Sequence, residues 1–549
     1  MGDQTKKRQS KGVATNSISY HDISRDDQEF IVRALKRGVT RREILSWLVA
    51  AGVAITSAGT IIGTAEKVFA AAPKRGGKIK ASMNATGPGD TLDPIIARQS
   101  TDYLRQRAHY NNLVRLDDKI IPQPELAREF SANSNFTEWI FKLRKDVEWH
   151  DGGKMTADDV IWTLNRHIGK DSKSKSKIFM SMVKEFKKED DYTVKAVLNS
   201  PNADLATVLG TFHFRIIKKG TTNFQNPPGT GPYKLKEFKP GIRSLHVRND
   251  NYWGEGPYLD ELEIIAITDT VARVNALLAG DVDLINTVDP KAVGKIKSTK
   301  GKEIITSPSG AYLAINCLRD TVPGKSDDFV MALKYLQNRK KILKTVCKGF
   351  GMVGNDQPIS VAYPDHCADL PQRSFDPEKA KFHLRKSGVT EAQIHVAPLT
   401  GRSVDTVMVL QREASKIGLD LKIKMVPTSG YYGSIWNKKP LCVTRWNMRP
   451  TANAMLSLAY APEAPWNDTH WKSERMGELL IASRSVTDPV ERKAMYCEMQ
   501  TLIHNGSGSI IPVFADTIDA KSSKVHGIGK CPLGPLGASE WPEFVWLDA

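Results

Sequence analysis

The sequence predicts an α/β protein built from more than one packed unit, and three observations carry that prediction. From Gly77 onward, short apolar runs alternate with stretches of helical periodicity, the pattern of sheets covered by helices. The chain has 549 residues, beyond the size at which one hydrophobic core keeps growing, so two or three structural units are expected. Its residues are 40% hydrophobic and 25% charged, with 40 Gly and 29 Pro scattered along it, which excludes a disordered or fibrous chain.

The elements follow in order. Thr137 to Leu143 alternates like a strand. Thr156 to Leu164 reads as a helix, with Thr156 as N-cap, Asp159 three residues on, and Val160, Ile161 and Leu164 on one face. Tyr192 to Leu198 is a strand, and Gly229-Thr230-Gly231-Pro232-Tyr233 marks a tight turn into another, Lys234 to Phe238. Leu262 to Ile267, almost wholly apolar, is a buried strand; a helix over Thr270 to Ala279, ended by Gly280, leads to the strand Val282 to Ile285. A second set of elements lies between about Ser307 and Ile510, with helices over Phe329 to Cys347, Pro377 to Lys386 and Val404 to Ile417, and a strand over Asp420 to Val426. The strand-like pieces Ile510 to Phe514 and Phe544 to Leu547 have no local partner, so they are expected to return to the first unit and make it discontinuous.

The first 72 residues differ from the rest. A basic, polar leader ends in Thr40-Arg41-Arg42-Glu43-Ile44-Leu45-Ser46, an apolar stretch diluted with Ala, Gly, Thr and Ser runs to Ile62, and Ala70-Ala71-Ala72 precedes Pro73. This order fits an export signal with a small-residue cleavage site, and the paired arginines resemble the twin-arginine type, with Ile44 where Phe is usual. The alternative is an uncleaved anchor, since about 19 apolar residues just span a bilayer. Without the leader the balance is 67 basic against 54 acidic residues, so the mature part is itself basic. The densest run, Lys170 to Lys177, has no interleaved aromatic residues and reads as a solvated loop, with no nucleic-acid partner expected.

Six cysteines, Cys317, Cys347, Cys367, Cys442, Cys497 and Cys531, are widely spaced with no metal-ligand spacing; one to three disulfides are expected in an oxidising compartment, with the pairing open. Gly349 to Gly354 has the glycine spacing of a dinucleotide loop but follows a helix and opens onto Asn355-Asp356-Gln357-Pro358, so it reads as a helix exit loop. No nucleophile elbow, activated Cys with His, or metal-binding histidine pair is evident, so neither an enzyme nor a cofactor or metal site is expected. The suggestive cluster is Tyr431-Tyr432, Trp436, Trp446-Asn447-Met448-Arg449, Tyr460 and Trp466-Asn467: aromatic faces sandwich a ligand and a guanidinium clamps a carboxylate.

An ordered set of motifs spans this mature sequence: T-L-D-P at Thr91 to Pro94, L-R-K-D-V-E-W-H-D-G at Leu143 to Gly152, T-A-D-D-V at Thr156 to Val160, G-T-G-P-Y at Gly229 to Tyr233, R-V-N-A-L-L-A-G-D-V-D at Arg273 to Asp283, F-D-P-E-K-A at Phe375 to Ala380, and R-K-A-M-Y-C-E-M-Q at Arg492 to Gln500 before Ile511-Pro512. The set resembles the extracellular solute-binding proteins of family 5, which serve peptide, nickel and opine ABC importers. The resemblance implies the two-lobed periplasmic-binding-protein fold, type II, of the large peptide-binding class with an extra subdomain in lobe I. It divides the chain into leader 1–72, lobe I 73–308, lobe II 309–509 and a return to lobe I over 510–549, with crossovers near Ser307 to Asn316 and Ser509 to Val513. It further implies a periplasmic monomer that closes on a small-molecule or peptide ligand without chemistry and delivers it to permease subunits in the inner membrane.

In dipeptide and oligopeptide binders of the family, a Trp-x-x-Asp motif supplies an aromatic wall and a carboxylate for the ligand's ammonium. Here Trp446 matches the aromatic residue and Arg449 stands where the Asp would be. A cation there repels a free amino terminus and favours a carboxylate-bearing solute, such as an N-blocked peptide or an opine. Trp446, Arg449, Asn447 and Tyr432 are therefore the expected ligand contacts in lobe II, Tyr103 that of lobe I, and Asn316 a contact near the hinge. A nickel or metal-chelate binder of the same fold, a secreted hydrolase and a chaperone-like binder are the alternatives.

Overall fold

The computed structural model describes residues 31, 41–50, 58, 61, 62, 73–174, 176–399, 402–486 and 488–548. Met1–Lys74 and Arg75–Ala549 form separate units. In the first, Arg41–Ala50 is a helix, and nearly all the rest of the expected leader, including the apolar stretch beyond Ala50 and the Ala-rich exit, lies outside the described residues. Among the described residues, no helix is long and apolar enough to cross a membrane.

The second unit contains two large mixed sheets and a smaller antiparallel one. The first sheet runs in the order Lys302–Ser307, Thr517–Ser522, Leu284–Ile285, Lys78–Met83, Glu261–Ala266, Arg243–Arg248, Tyr233–Lys239. Lys78–Met83 is parallel to both Glu261–Ala266 and Leu284–Ile285, and the remaining pairs are antiparallel. Parallel neighbours require a crossover, and Thr270–Ala279 supplies it. Asp269 caps that helix by accepting the Ala272 N–H, and Gly280 ends it at φ 88°, a left-handed conformation that costs glycine little. Leu284 packs with Ile79, Leu262 and Trp541, whereas Ile285 packs on the opposite face with Leu277 and Ile518, so both faces of this sheet are buried.

The second sheet runs Gly351–Val353, Val513–Ala515, Tyr312–Cys317, Leu441–Trp446, Glu391–Val396, Asp420–Met425, with Ser509–Ile510 also paired to Tyr312–Cys317. Tyr312–Cys317 is buried at every position. Leu313 and Ile315 meet Phe329 and Leu410 on one side, and Tyr312 and Ala314 meet Trp446, Met455 and Tyr496 on the other. In the small sheet, Ala127–Ala132, Glu138–Leu143, Thr193–Leu198 and Val183–Asp190 lie in that order, with Phe141, Val194 and Ala196 against Val160 and Leu164 of the helix Ala157–Asn165. The expected cap of that helix is present: the Asp159 carboxylate accepts the Thr156 N–H at 2.9 Å.

Several elements differ from their sequence reading. The helix expected over Phe329 to Cys347 is two, Asp327–Tyr335 and Arg339–Thr345, because the Asn338 side chain accepts the Lys341 N–H and starts a new helix. The strand expected over Ile510 to Phe514 is split at Ile511-Pro512 into Ser509–Ile510 and Val513–Ala515, and both pieces belong to the second sheet. Trp546–Leu547 pairs with Val525–His526, not with the first sheet. The strand that does return to the first sheet is Thr517–Ser522, which the sequence reading passed over. The chain therefore crosses between the large sheets after Ser307 and again between Ala515 and Thr517. Gly351–Val353, read as part of a loop, is an edge strand. Cys367 and Cys497 form a disulfide, while Cys317, Cys347, Cys442 and Cys531 are buried free thiols.

Candidate functional site

Two lobes meet where the segment after the small sheet faces the helices of the second sheet. The Ala203 N–H donates to the Arg484 carbonyl at 3.0 Å, and Arg492 Nη2 lies 2.5 Å from Asp204 Oδ1. Beside these contacts is a cavity of about 410 Å³, walled by Phe179, Met182 and Val208 from one lobe and Thr451, Leu458 and Trp466 from the other. That volume is in the lower part of the ~300–1,000 Å³ typical of small-molecule sites.

Trp466 of that wall belongs to an aromatic cluster. Trp446 ends the strand Leu441–Trp446, opposite Tyr312, and its ring packs against Trp436 and Trp466 with centroids 6.5 and 6.2 Å away. The indole N–H groups of Trp436, at 2.6 Å, and of Trp446 both donate to the carboxylate of Asp468. Asp468 is fully buried, and burial pushes its carboxyl up to about 7 against the opposing pull of the two indole donors and the Asn316 amide. Tyr432 packs edge-on to Trp436 at 5.7 Å and is half exposed.

Arg449 follows this strand end. Its N–H donates to the Tyr363 hydroxyl at 2.9 Å, its Nη1 donates to the carbonyl of the exposed Asn447 at 3.2 Å, and its guanidinium lies 5.1 Å over the Trp446 ring. Nε is buried without a hydrogen-bond partner, and among the described residues no carboxylate lies within ion-pair distance of the guanidinium. Burial lowers its pKa.

On the first lobe, the Tyr103 ring packs at a tilt against Phe212 at 4.1 Å and meets His213 edge-on at 5.7 Å. Burial holds His213 down to about 3, and unfavourable coulombic interactions with His167, Arg449 and Arg215 act in the same direction. Asn316 is fully buried in the strand Tyr312–Cys317, where its side-chain oxygen accepts from Ser509. It contacts the Asp468 layer beneath the aromatic wall, whereas Tyr432 and Asn447 are on the exposed side.

Sequence reasoning missed Asp468, Phe212, His213, Asp204, Arg484 and Arg492 as parts of this region. Asp468 directly follows Trp466-Asn467, so only its position in the chain hinted at it; the others carry no local signal. Among the described residues, no group of three or more His, Cys, Asp and Glu is arranged to hold a metal ion.

The arrangement can hold a small solute between an aromatic wall and a cation. Comparison with known proteins identifies the family and the fold. Residues 122–466 match the profile of bacterial extracellular solute-binding proteins, family 5 Middle. The dipeptide-binding protein of Escherichia coli K12 is 26% identical over 474 residues, covering 77% of this chain and 87% of its own. Heme-binding protein A of Haemophilus influenzae is 25% identical over 494 residues, covering 81% and 86%. The solved structure of HbpA2 from Haemophilus parasuis superposes with a TM-score of 0.77 at 22% identity, covering 86% of this chain and all of that one, a likeness of fold. The chain belongs to the bacterial extracellular solute-binding proteins of family 5.

Proposed function

We propose that this protein is the solute-capturing component of an ABC importer, and that its ligand is a small peptide or peptide-like compound presenting a carboxylate to Arg449. The observation that carries the reading is the state of Arg449: half-buried, lying over Trp446, and without a carboxylate partner among the described residues. A desolvated guanidinium gains most from a bidentate anion, and a free α-ammonium beside it would be repelled. Trp446 supplies a flat apolar wall, Tyr103 and His213 the facing surface, Tyr432 and Asn447 the outer rim, and Asn316 the support of Asp468 beneath.

Capture is hinge closure: ligand touching both lobes stabilises the arrangement in which they meet, and nothing covalent happens to it. In this reading lobe I comprises residues 73–308 and the chain after Ala515, and lobe II the residues between. The mature protein acts as a periplasmic monomer, exported on its 1–72 leader by the twin-arginine route, and hands its ligand to inner-membrane permease subunits. The relatives named for dipeptide and heme bound the chemical range, and the cavity size favours a ligand smaller than an extended peptide.

The test is calorimetry with matched pairs, alanyl-phenylalanine against N-acetyl-alanyl-phenylalanine, on the wild-type protein and on Arg449→Ala. The acetylated acid binds at least tenfold more tightly, and the variant loses that preference. Tight binding of the free dipeptide that survives Arg449→Ala would overturn the reading.

A further inference from the structure

The interlobe cavity contains a second cation that the ligand reading does not use. Arg484 lies in the turn after the helix Glu474–Ala482 and lines the cavity, and its carbonyl accepts the Ala203 N–H from the other lobe. Its side chain is half-buried. Its guanidinium donates only to neutral oxygens, Nε to Asn453 Oδ1 at 3.2 Å and Nη2 to Ser457 Oγ at 3.2 Å. Among the described residues, no carboxylate forms an ion pair with it. Burial lowers its pKa, with Tyr496 and Asp204 acting in the opposite direction. Asp204 also lines the cavity, but it is already engaged by Arg492, which approaches Asp365 at 4.0 Å as well.

Away from the Asn453 and Ser457 side chains that meet Arg484, the walls are mainly apolar and come from both lobes. Ile178, Phe179, Met182 and Val208 face Leu458 and Trp466 across the space. Thr451, two residues beyond Arg449 in the chain, also lines it. An apolar group fills these walls, and an acid at its far end would give Arg484 the anion it lacks. A cationic group there would be desolvated beside an unpaired cation.

We propose that this cavity is a subsite for an apolar group of the ligand that ends in an acid, and that Arg484 is the residue that determines this specificity. The ligand class is then a compound with two acidic ends separated by an apolar segment, one acid at Arg449 and the other at Arg484. This inference rests on the reading of the interlobe space as the binding site, but its test is independent of Arg449.

The probes are 4-ethylbenzoate, ethylbenzene and 4-ethylbenzylammonium, titrated into the full-length Arg449→Ala protein by calorimetry and soaked into its crystals. In that background the benzoate cannot be drawn to Arg449. It binds at least tenfold more tightly than the ammonium, with its ring in the cavity and its carboxylate on Arg484. Adding Arg484→Gln brings the charged pair within about threefold, and Arg484→Lys restores the order. An unchanged order in the Gln variant, no density in the cavity, or no binding of the benzoate overturns the subsite. Retention of that order together with undiminished binding of N-acetyl-alanyl-phenylalanine by Arg449→Ala would instead remove only the carboxylate assignment at Arg449.

Discussion

Replacing Asp204 by Asn should loosen the grip of one lobe on the other without unfolding either. The side chains of Asp204 and Arg492 are 16% and 15% exposed, so the pair is neither a solvated surface bridge nor a dry one. Surface pairs contribute about 0–1 kcal/mol, and breaking a fully buried pair costs about 3–5 kcal/mol. Arg492 retains other partners when Asp204 is neutralised: the Ser483 carbonyl at 3.1 Å, the Tyr496 hydroxyl at 3.3 Å and Asp365. The loss is therefore about 1–2 kcal/mol, near the lower of the two limits. The contact exists only when the lobes meet, so the whole of it falls on the closing equilibrium. An energy of that size weakens ligand binding about 5- to 30-fold, through faster release more than slower capture. The assay is calorimetry together with a fluorescence-transfer pair placed one label on each lobe. Glu129→Gln, which breaks a bridge to Lys142 whose side chains are 56% and 46% exposed, serves as the control and changes neither readout. An Asp204→Asn protein whose affinity and interlobe distance both match the wild type within twofold would refute the reasoning.

Other perturbations have expected outcomes of their own. Trp446→Phe keeps the wall but leaves one buried carboxylate oxygen of Asp468 without its indole donor, so stability falls by about 1–3 kcal/mol in denaturant unfolding; an unchanged midpoint would mean that a new donor replaces it. Breaking the Cys367–Cys497 disulfide, which closes a separation of 130 residues, lowers stability by about 2–5 kcal/mol while ligand affinity at 25 °C is retained. Acid acts through two sets of buried groups. Asp468 and Asp519 are raised to about 7, chiefly by burial, so their folded forms hold protons that the unfolded chain has lost, and their contribution to stability grows as pH falls from about 7 toward the ordinary value of 3.8. His109 is lowered to about 4 and His167 and His213 to about 3, again by burial; the unfolded chain binds their protons near its ordinary value of 6.5, so below about pH 6 these three groups lose stability faster than the two carboxyls gain it. Thermal midpoints across pH 4–8 should therefore pass through a maximum near pH 6, and a monotonic rise down to pH 4 would contradict the assignment of these histidines as buried and neutral.

How much of this was legible beforehand depends on the range of each signal. The cap at Thr156 and Asp159, the crossover helix Thr270–Ala279 with its end at Gly280 and the alternation of Glu138–Leu143 are settled within a few residues, and the sequence reading found all three. Asn338 misled it because Asn is compatible with a continuing helix until its side chain caps the next one. Thr517–Ser522 was invisible because its inner face includes Asp519, a polar residue that a hydrophobic pattern rejects; the Leu536 and Thr287 N–H groups, 17 and 232 residues away, satisfy it.

The sequence by itself determined the class of fold, most of the local elements, the aromatic cluster and the substitution of Arg449 for an acid. Only the tertiary structure decided that Trp436 and Trp446 share the buried carboxylate of Asp468, that Tyr103 packs against Phe212 beside His213, and that Asp204 reaches Arg492 across 288 residues of chain. The physical reason is one of distance along the chain. Caps, turns and periodicity act between neighbours and leave a record in composition, whereas a contact between remote segments depends on how whole sheets are ordered, and a single sequence records that order only indirectly.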